Sequence, residues 1–339
     1  MSTTRTSVPV LDLSTARNSD GFFNMDFIDS LRDAAHNVGF FQIINYGAAD
    51  GQVEELLETV AGFFRLPLEQ RLELDNRTSA QFRGYTRLGK EITRGRADSR
   101  EQIDFGPDRE PLIDVPDDQL FLRLQGHNQW PDQYPELERR ALQWTALMAR
   151  IGVDLLEGIS VALGLPENYL AEPFTFSPAW MGKLVHYVGG QVPEAGTQGV
   201  GAHADYGFVT LLLQDTVGGL EVQPHGQEEW IPVEPIPGAL VVNLGEMLEV
   251  ATNGYLMATI HRVTAPPPGV DRYSVPFFWS PRLDSVIEPV PLPPALLAEA
   301  RGVSDDPDNP MLSSYGSNVL KGWVRAHPET AAIHYPELG

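Results

Sequence analysis

Cysteine is absent from the 339 residues. That excludes disulfides, zinc–thiolate sites, iron–sulfur clusters and thiol nucleophiles together. Positive charge is scarce: 24 lysines and arginines stand against 46 aspartates and glutamates, a formal charge of -22. Such a surface repels phosphate backbones and anionic lipid, so neither nucleic acid nor membrane is expected as a partner. No apolar run approaches the roughly 20 residues that span a bilayer. The first twenty residues lack the uninterrupted apolar core of a signal peptide, so a soluble, cytoplasmic protein is expected. What remains is ample for a large core, since 42% of residues are hydrophobic and 9% aromatic.

The pattern changes along the chain. "VPVLDL" alternates like a strand. Residues 25–39 then place Phe27, Ile28, Leu31, Ala34, Ala35 and Val38 on one helical face, ended by Gly39. "FFQIIN" reads as a buried strand, and residues 51–67 as a second amphipathic helix stopped by Pro67. Residues 76–132 are irregular and long for a connection, which predicts short elements or a lid. Pro135 to Leu163 is the longest helical pattern, with a stripe of Trp144, Met148, Ile151, Leu155 and Ile159. From about residue 176 short strand-like runs follow one another, with "QPHGQEEW" as a hairpin turn. That spacing points to a barrel or jelly roll. The expected plan is an N-terminal helical or mixed region over 1–175, a β-rich core over 176–291 and a helical tail over 292–339, in one integrated unit.

The chemistry concentrates in "GVGAHADYGFVTLLLQD", residues 200–216. On an extended strand, residues two apart share a face, so His203 and Asp205 can converge on one cation. The pattern is cheap by itself: eight histidines and 46 acids yield roughly one His-x-acid match by chance. His327-Pro328-Glu329, in a polar stretch, is read as that chance match. His261, in the strand-like "ATIHRVTA", offers a third ligand. Two histidines and one carboxylate form a facial triad with three open positions, an arrangement that suits Fe(II) in oxygenases. Arg272 and Ser274, again two apart, can form a carboxylate clamp on one strand face.

Three stretches, "HADYGFVTLLLQDTVGGLEV", "NLGEMLEVATNGYLMATIHRV" and "RYSVPFFWSP", carry a resemblance that extends to "VPVLDL", "GFFQIINYG", "NQWPD" and "SYGSNVLKGWVRAHPE". The chain resembles the isopenicillin N synthase-like branch of the non-haem Fe(II)/2-oxoglutarate-dependent oxygenases. The resemblance implies a mixed α+β fold: a double-stranded β-helix, or jelly-roll, core flanked by N-terminal and C-terminal helices. It implies iron on His203, Asp205 and His261, and 2-oxoglutarate on Arg272, Ser274 and Tyr187. It implies a dioxygenase that uses O2, releases succinate and CO2, and hydroxylates, desaturates or cyclises a small organic molecule. Arg83, Tyr85, Arg87, His186 and Phe278 are the candidate substrate contacts. For these the alternatives stand beside the functional reading: surface ion pairs for Arg83 and Arg87, a satisfied core residue for His186 and Phe278. Asn243 can bond near the metal or cap a strand end. Two other readings keep the fold: an iron oxidase that uses O2 without 2-oxoglutarate, and a silent ligand-binding protein.

Overall fold

The structure is a computed structural model that describes residues 7–190, 198–303 and 309–338. Residues 1–6, 191–197, 304–308 and 339, which the sequence reading covered, lie outside the described residues. In chain order the elements begin with β1 (Val10–Asp12), α1 (Met25–Asn37), β2 (Phe40–Ile44), α2 (Gln52–Phe64) and α3 (Leu68–Leu72). There follow β3 (Gly84–Thr86), β4 (Ile92–Thr93), β5 (Arg96–Ala97), β6 (Glu101–Phe105) and the long α4 (Glu136–Ala162). The β-rich part holds β7 (Met181–Tyr187), β8 (Gln198–His203), β9 (Val209–Gln214), β10 (Leu220–Gln223), β11 (Ile231–Pro232) and β12 (Leu240–Leu244). It closes with α5 (Glu246–Ala251), β13 (Ile260–Thr264) and β14 (Arg272–Trp279), and the tail carries α6 (Pro294–Leu297), α7 (Tyr315–Ala326) and α8 (Pro328–His334).

The helices form where the 3.6-residue period predicts them. Asn24 caps α1, its side chain accepting from the Asp26 amide, and the expected apolar face is buried. Gly39 ends the helix at φ +67°, and a Cβ there would lie 2.2 Å from the Met257 carbonyl oxygen, so both backbone and space demand glycine. The five residues of the α4 stripe are all buried. Each contributes about 2 kcal/mol relative to exposure.

Eight strands form one sheet in the order β1-β2-β12-β9-β14-β7-β6-β3, and four form a second in the order β11-β10-β13-β8. Apart from the parallel β1–β2 pair, their neighbours run antiparallel. Between the two sheets lies one apolar cluster, with Val185, Tyr187, Leu212 and Val241 from the larger and Val200, Val222 and Val263 from the smaller. The other face of the large sheet takes the helices: α2 packs on β7 and β14, α4 on β9 and β14. This is the jelly-roll core of a mixed α+β fold. The mixed N-terminal region contributes strands to the core itself. β1, β2, β3 and β6, all from the first 105 residues, are strands of the large sheet. The 76–132 stretch thus holds short elements, and two of them extend the sheet edge. No helix among the described residues is long and apolar enough to cross a membrane.

Candidate active site

His203 and His261 face each other directly across the antiparallel β8–β13 pair. Directly opposed residues share a sheet face, so both rings project the same way. Asp205 lies just past the end of β8, in a turn rather than on the strand itself. The turn is closed by the Glu246 amide on the Asp205 carbonyl at 2.7 Å and the Gly245 amide on the Phe208 carbonyl at 2.9 Å. A Cβ on Gly245 would lie 2.2 Å from the Gly207 carbonyl oxygen, so the two backbones can approach only because that residue is glycine.

Ligand atoms of the three side chains lie within 4.8 Å of one another. His203 Nε2 stands 3.6 Å and His261 Nε2 3.8 Å from Asp205 Oδ1. Both Nδ1 atoms meet backbone carbonyls, Gly201 at 2.8 Å and Thr259 at 3.1 Å. A carbonyl only accepts, so Nδ1 carries the proton and the Nε2 lone pair points into the site. Asp205 Oδ2 accepts from Thr210 Oγ1 at 2.5 Å and Asn243 Nδ2 at 2.7 Å, leaving Oδ1 for the site. Burial alone would raise the Asp205 carboxyl. His203, His261 and Thr210 outweigh it and hold it well below the usual carboxylate range. Burial pushes His261 down to about 4, so its ring is neutral, the form that ligates. Burial would also lower His203, but Asp205 outweighs it and raises that ring, so a metal there would compete with a proton. Two oriented imidazoles and an ionised carboxylate fit ferrous iron, and their outer partners fix each ligand as such sites require.

Arg272 is wholly buried on β14, opposite Tyr187 of β7, whose ring lies 4.6 Å below its guanidinium carbon. Its Nη2 donates to Gln214 Oε1 at 3.0 Å. Among the described residues its Nε and Nη1 have no partner, nor do Ser274 Oγ and Gln214 Nε2. Ser274 and Gln214 face each other across β14 and β9. Orphaned buried donors are expensive. A buried guanidinium fork, hydroxyl and amide with unpartnered donors among the described residues fit a carboxylate, as 2-oxoglutarate would offer. Gln214 was not singled out from sequence; its register with Ser274 is the only signal, and it needs the strand pairing.

The cavity beside the metal trio is lined by Asp205, Thr210, Phe278, Arg83, Trp180 and Tyr206, among others. Two sequence candidates, Arg83 and Phe278, are therefore brought to it. Three are not. Tyr85 and His186 lie on the helix-facing side of the large sheet, where both bind Glu101: the Tyr85 hydroxyl donates to it and His186 Nδ1 meets it at 2.8 Å. His186 also stacks on Tyr273, ring centres 4.8 Å apart. Arg87 stands 3.6 Å from Glu329, whose carboxylate also meets Arg77 and Lys90. Asn243 bonds the Asp205 carboxylate rather than capping its strand. His225 is exposed.

A buried charge network backs the cavity. Lys183 Nζ meets Asp104 at 2.9 Å and Glu91 at 3.0 Å, and Arg100 meets Glu91 and Asp98 at 3.1 Å each. Burial would raise the Glu91 carboxyl, but Arg100 and Lys183 hold it well below the usual range. His327 is not on a polar surface as its surroundings in sequence imply. It is 2% exposed, packs on Trp323 and Phe82, and faces Glu91 at 3.8 Å. Among the described residues it joins no metal-holding cluster.

Residues 8–133 match the family described as the N-terminal region of non-haem dioxygenase in morphine synthesis, and residues 181–281 match the 2OG-Fe(II) oxygenase superfamily. A 2-oxoglutarate-dependent dioxygenase, frbJ, of Dothideomycetidae sp. (strain 11243) is 32% identical, covering 98% of this chain and 93% of its own length. A homoarginine-6-hydroxylase of rice, Oryza sativa subsp. japonica, is 34% identical over 78% of this chain and 81% of the relative. Among solved structures, a full-length Neurospora crassa protein in complex with alpha-KG and thymine superposes with a TM-score of 0.75 at 25% identity, covering 93% of this chain and 96% of that one.

Proposed function

The chain belongs to the 2OG-Fe(II) oxygenase superfamily as an iron- and 2-oxoglutarate-dependent dioxygenase of small organic molecules, and on that premise we propose which of its residues do the work. His203, Asp205 and His261 hold the iron. Arg272, Ser274 and Tyr187 hold the distal carboxylate of 2-oxoglutarate, with Gln214 orienting the arginine. Iron, when bound, supplies O2 activation coupled to oxidative decarboxylation of 2-oxoglutarate to succinate and CO2.

The chain's own contribution is placement and exclusion of water. Thr210 and Asn243 fix one Asp205 oxygen so that the other is presented, and the two backbone carbonyls fix the imidazole tautomers. The Tyr187 face beneath Arg272 packs against the guanidinium and helps hold its plane for the incoming carboxylate. Phe278, Trp180 and Arg83 line the space beside Asp205 where substrate would lie. The strongly negative chain argues for a small molecule there rather than a nucleic acid.

One observation carries the reading: a fully buried arginine with orphaned donors stands in the same jelly-roll interior as a three-ligand metal trio. Anaerobic titration of the Fe(II)-loaded protein with 2-oxoglutarate tests it. Wild type should bind, Arg272→Ala should lose about a hundredfold or more in affinity, and Arg272→Lys should recover little. Equal binding by wild type and Arg272→Ala would refute it.

A further inference from the structure

Four charged side chains line the cavity beside the metal trio: Arg83, Asp104, Arg109 and Asp205. The two acids are spoken for. Asp205 belongs to the metal trio, and Asp104 takes Lys183 at 2.9 Å and the Gln102 amide at 2.7 Å. Among the described residues the two arginines are held only by neutral oxygens. Arg83 Nη1 donates to Asn128 Oδ1 at 2.6 Å and to the Pro107 carbonyl at 3.3 Å. Arg109 donates to the Ser177 and Pro178 carbonyls at 3.4 and 3.0 Å. The acid whose charge bears most on Arg83, Asp108, is taken by His127 at 2.7 Å.

In a chain with 46 acids and 24 bases an arginine finds a carboxylate easily, as Arg71, Arg100 and Arg262 do. Two arginines on one cavity without such a partner among the described residues are therefore a departure that has a cost. Burial pushes the Arg83 guanidinium down to about 10, and Arg109 adds to the effect by repulsion. An oxyanion received between them would remove both the desolvation cost and the repulsion.

We propose that Arg83 and Arg109 receive an anionic group of the substrate, which is a small organic acid with its carboxylate or phosphonate on the two guanidinium groups. Phe105, Trp180, Tyr206 and Phe278 line the rest of the cavity and cover the organic body, whose other end reaches Asp205. The assignment rests on the reading that this cavity receives the substrate of the iron site. It makes the neutral Asn128 and Pro107 oxygens a cradle that orients Arg83 without spending its charge.

Trp180 and Trp323 line the cavity, so their fluorescence reports its occupancy. The protein is loaded with Fe(II) and saturating 2-oxoglutarate without oxygen, then titrated with 3-phenylpropionate, 2-phenylethylphosphonate and the neutral 3-phenylpropanamide. At least one anion should bind about tenfold or more tighter than the amide. The tighter of the two anions identifies the acid. Arg83→Gln and Arg109→Gln should each remove most of that preference while amide affinity stays within about threefold, which guards against misfolding. Equal binding of acids and amide, no binding of either acid, or a preference that survives both substitutions overturns the assignment. A wild type that fails to bind 2-oxoglutarate overturns the site reading beneath it, so the two failures are distinguishable.

Discussion

Replacing Gln214 by glutamate keeps the length and branching of the side chain and changes one atom. In the native protein its Oε1 accepts from Arg272 Nη2 at 3.0 Å, and both side chains are buried. A carboxylate at that distance pairs with the guanidinium and neutralises it. The incoming 2-oxoglutarate then meets a fork already satisfied and a negative charge beside its own. A hydrogen bond to a charged group contributes about 1.5–3 kcal/mol. Losing one such bond weakens binding roughly 10- to 150-fold. Repulsion adds to this, so a loss of about two orders of magnitude is expected. Gln214→Leu keeps the charge of Arg272 but leaves Nη2 without its acceptor, and should cost about tenfold. Calorimetric titration of the Fe(II)-loaded protein with 2-oxoglutarate under nitrogen measures both. Glutamate binding 2-oxoglutarate within threefold of wild type, or iron affinity falling in step, would refute the reasoning.

His203→Ala, Asp205→Ala and His261→Ala should each abolish Fe(II) binding while His327→Ala retains it, as read by anaerobic iron titration. Thr210→Val and Asn243→Leu each remove one hydrogen bond from Asp205 and should weaken iron binding about 10- to 100-fold in chelator competition. Glu91 lies below its ordinary value of 4.5 in the folded protein. Its contribution is therefore complete above that pH and lost as pH falls beneath it. Glu91→Gln should flatten the acid limb of a denaturation-versus-pH curve. Gly245→Ala forces a Cβ to 2.2 Å from a backbone oxygen and should cost about 1–3 kcal/mol or more, seen as a lower Tm together with weaker iron binding.

The Arg272–Ser274 pair was legible because both residues lie on β14 at the two-residue strand period, whereas His203 and Asp205 were legible as a His-x-Asp motif although Asp205 sits just past the strand end. The helices were legible because Trp144 and its neighbours repeat at 3.6. The same strand period also separates His186 from Tyr187. Adjacent residues take opposite faces, so with Tyr187 inside, His186 must face the helices, where it meets Glu101. What stayed hidden depends on pairing between distant segments. Gln214 acquires its role from the β9–β14 register, Arg109 from a loop folded against residues 177 and 178, and the Lys183–Glu91 pair from segments 92 positions apart. The burial of His327 was hidden as well: its sequence neighbours are polar, while Trp323 and Phe82 pack against it.

With iron held as proposed, the direct opposition of His203 and His261 would make the metal a crosslink as well as a reagent. The two residues are 58 positions apart in sequence, and their strands pair with a register irregularity just beyond His261. A slip of one residue there would turn one imidazole to the wrong face. Bound metal therefore selects the correct register and closes a long loop of chain, much as a disulfide would in a protein that has cysteine to spare. Amide exchange along β8 and β13 should accordingly slow when iron is added, before any cosubstrate or oxygen is present. Without metal, this seam rests on the β8–β13 backbone ladder and on the apolar packing that includes Val200 and Val263.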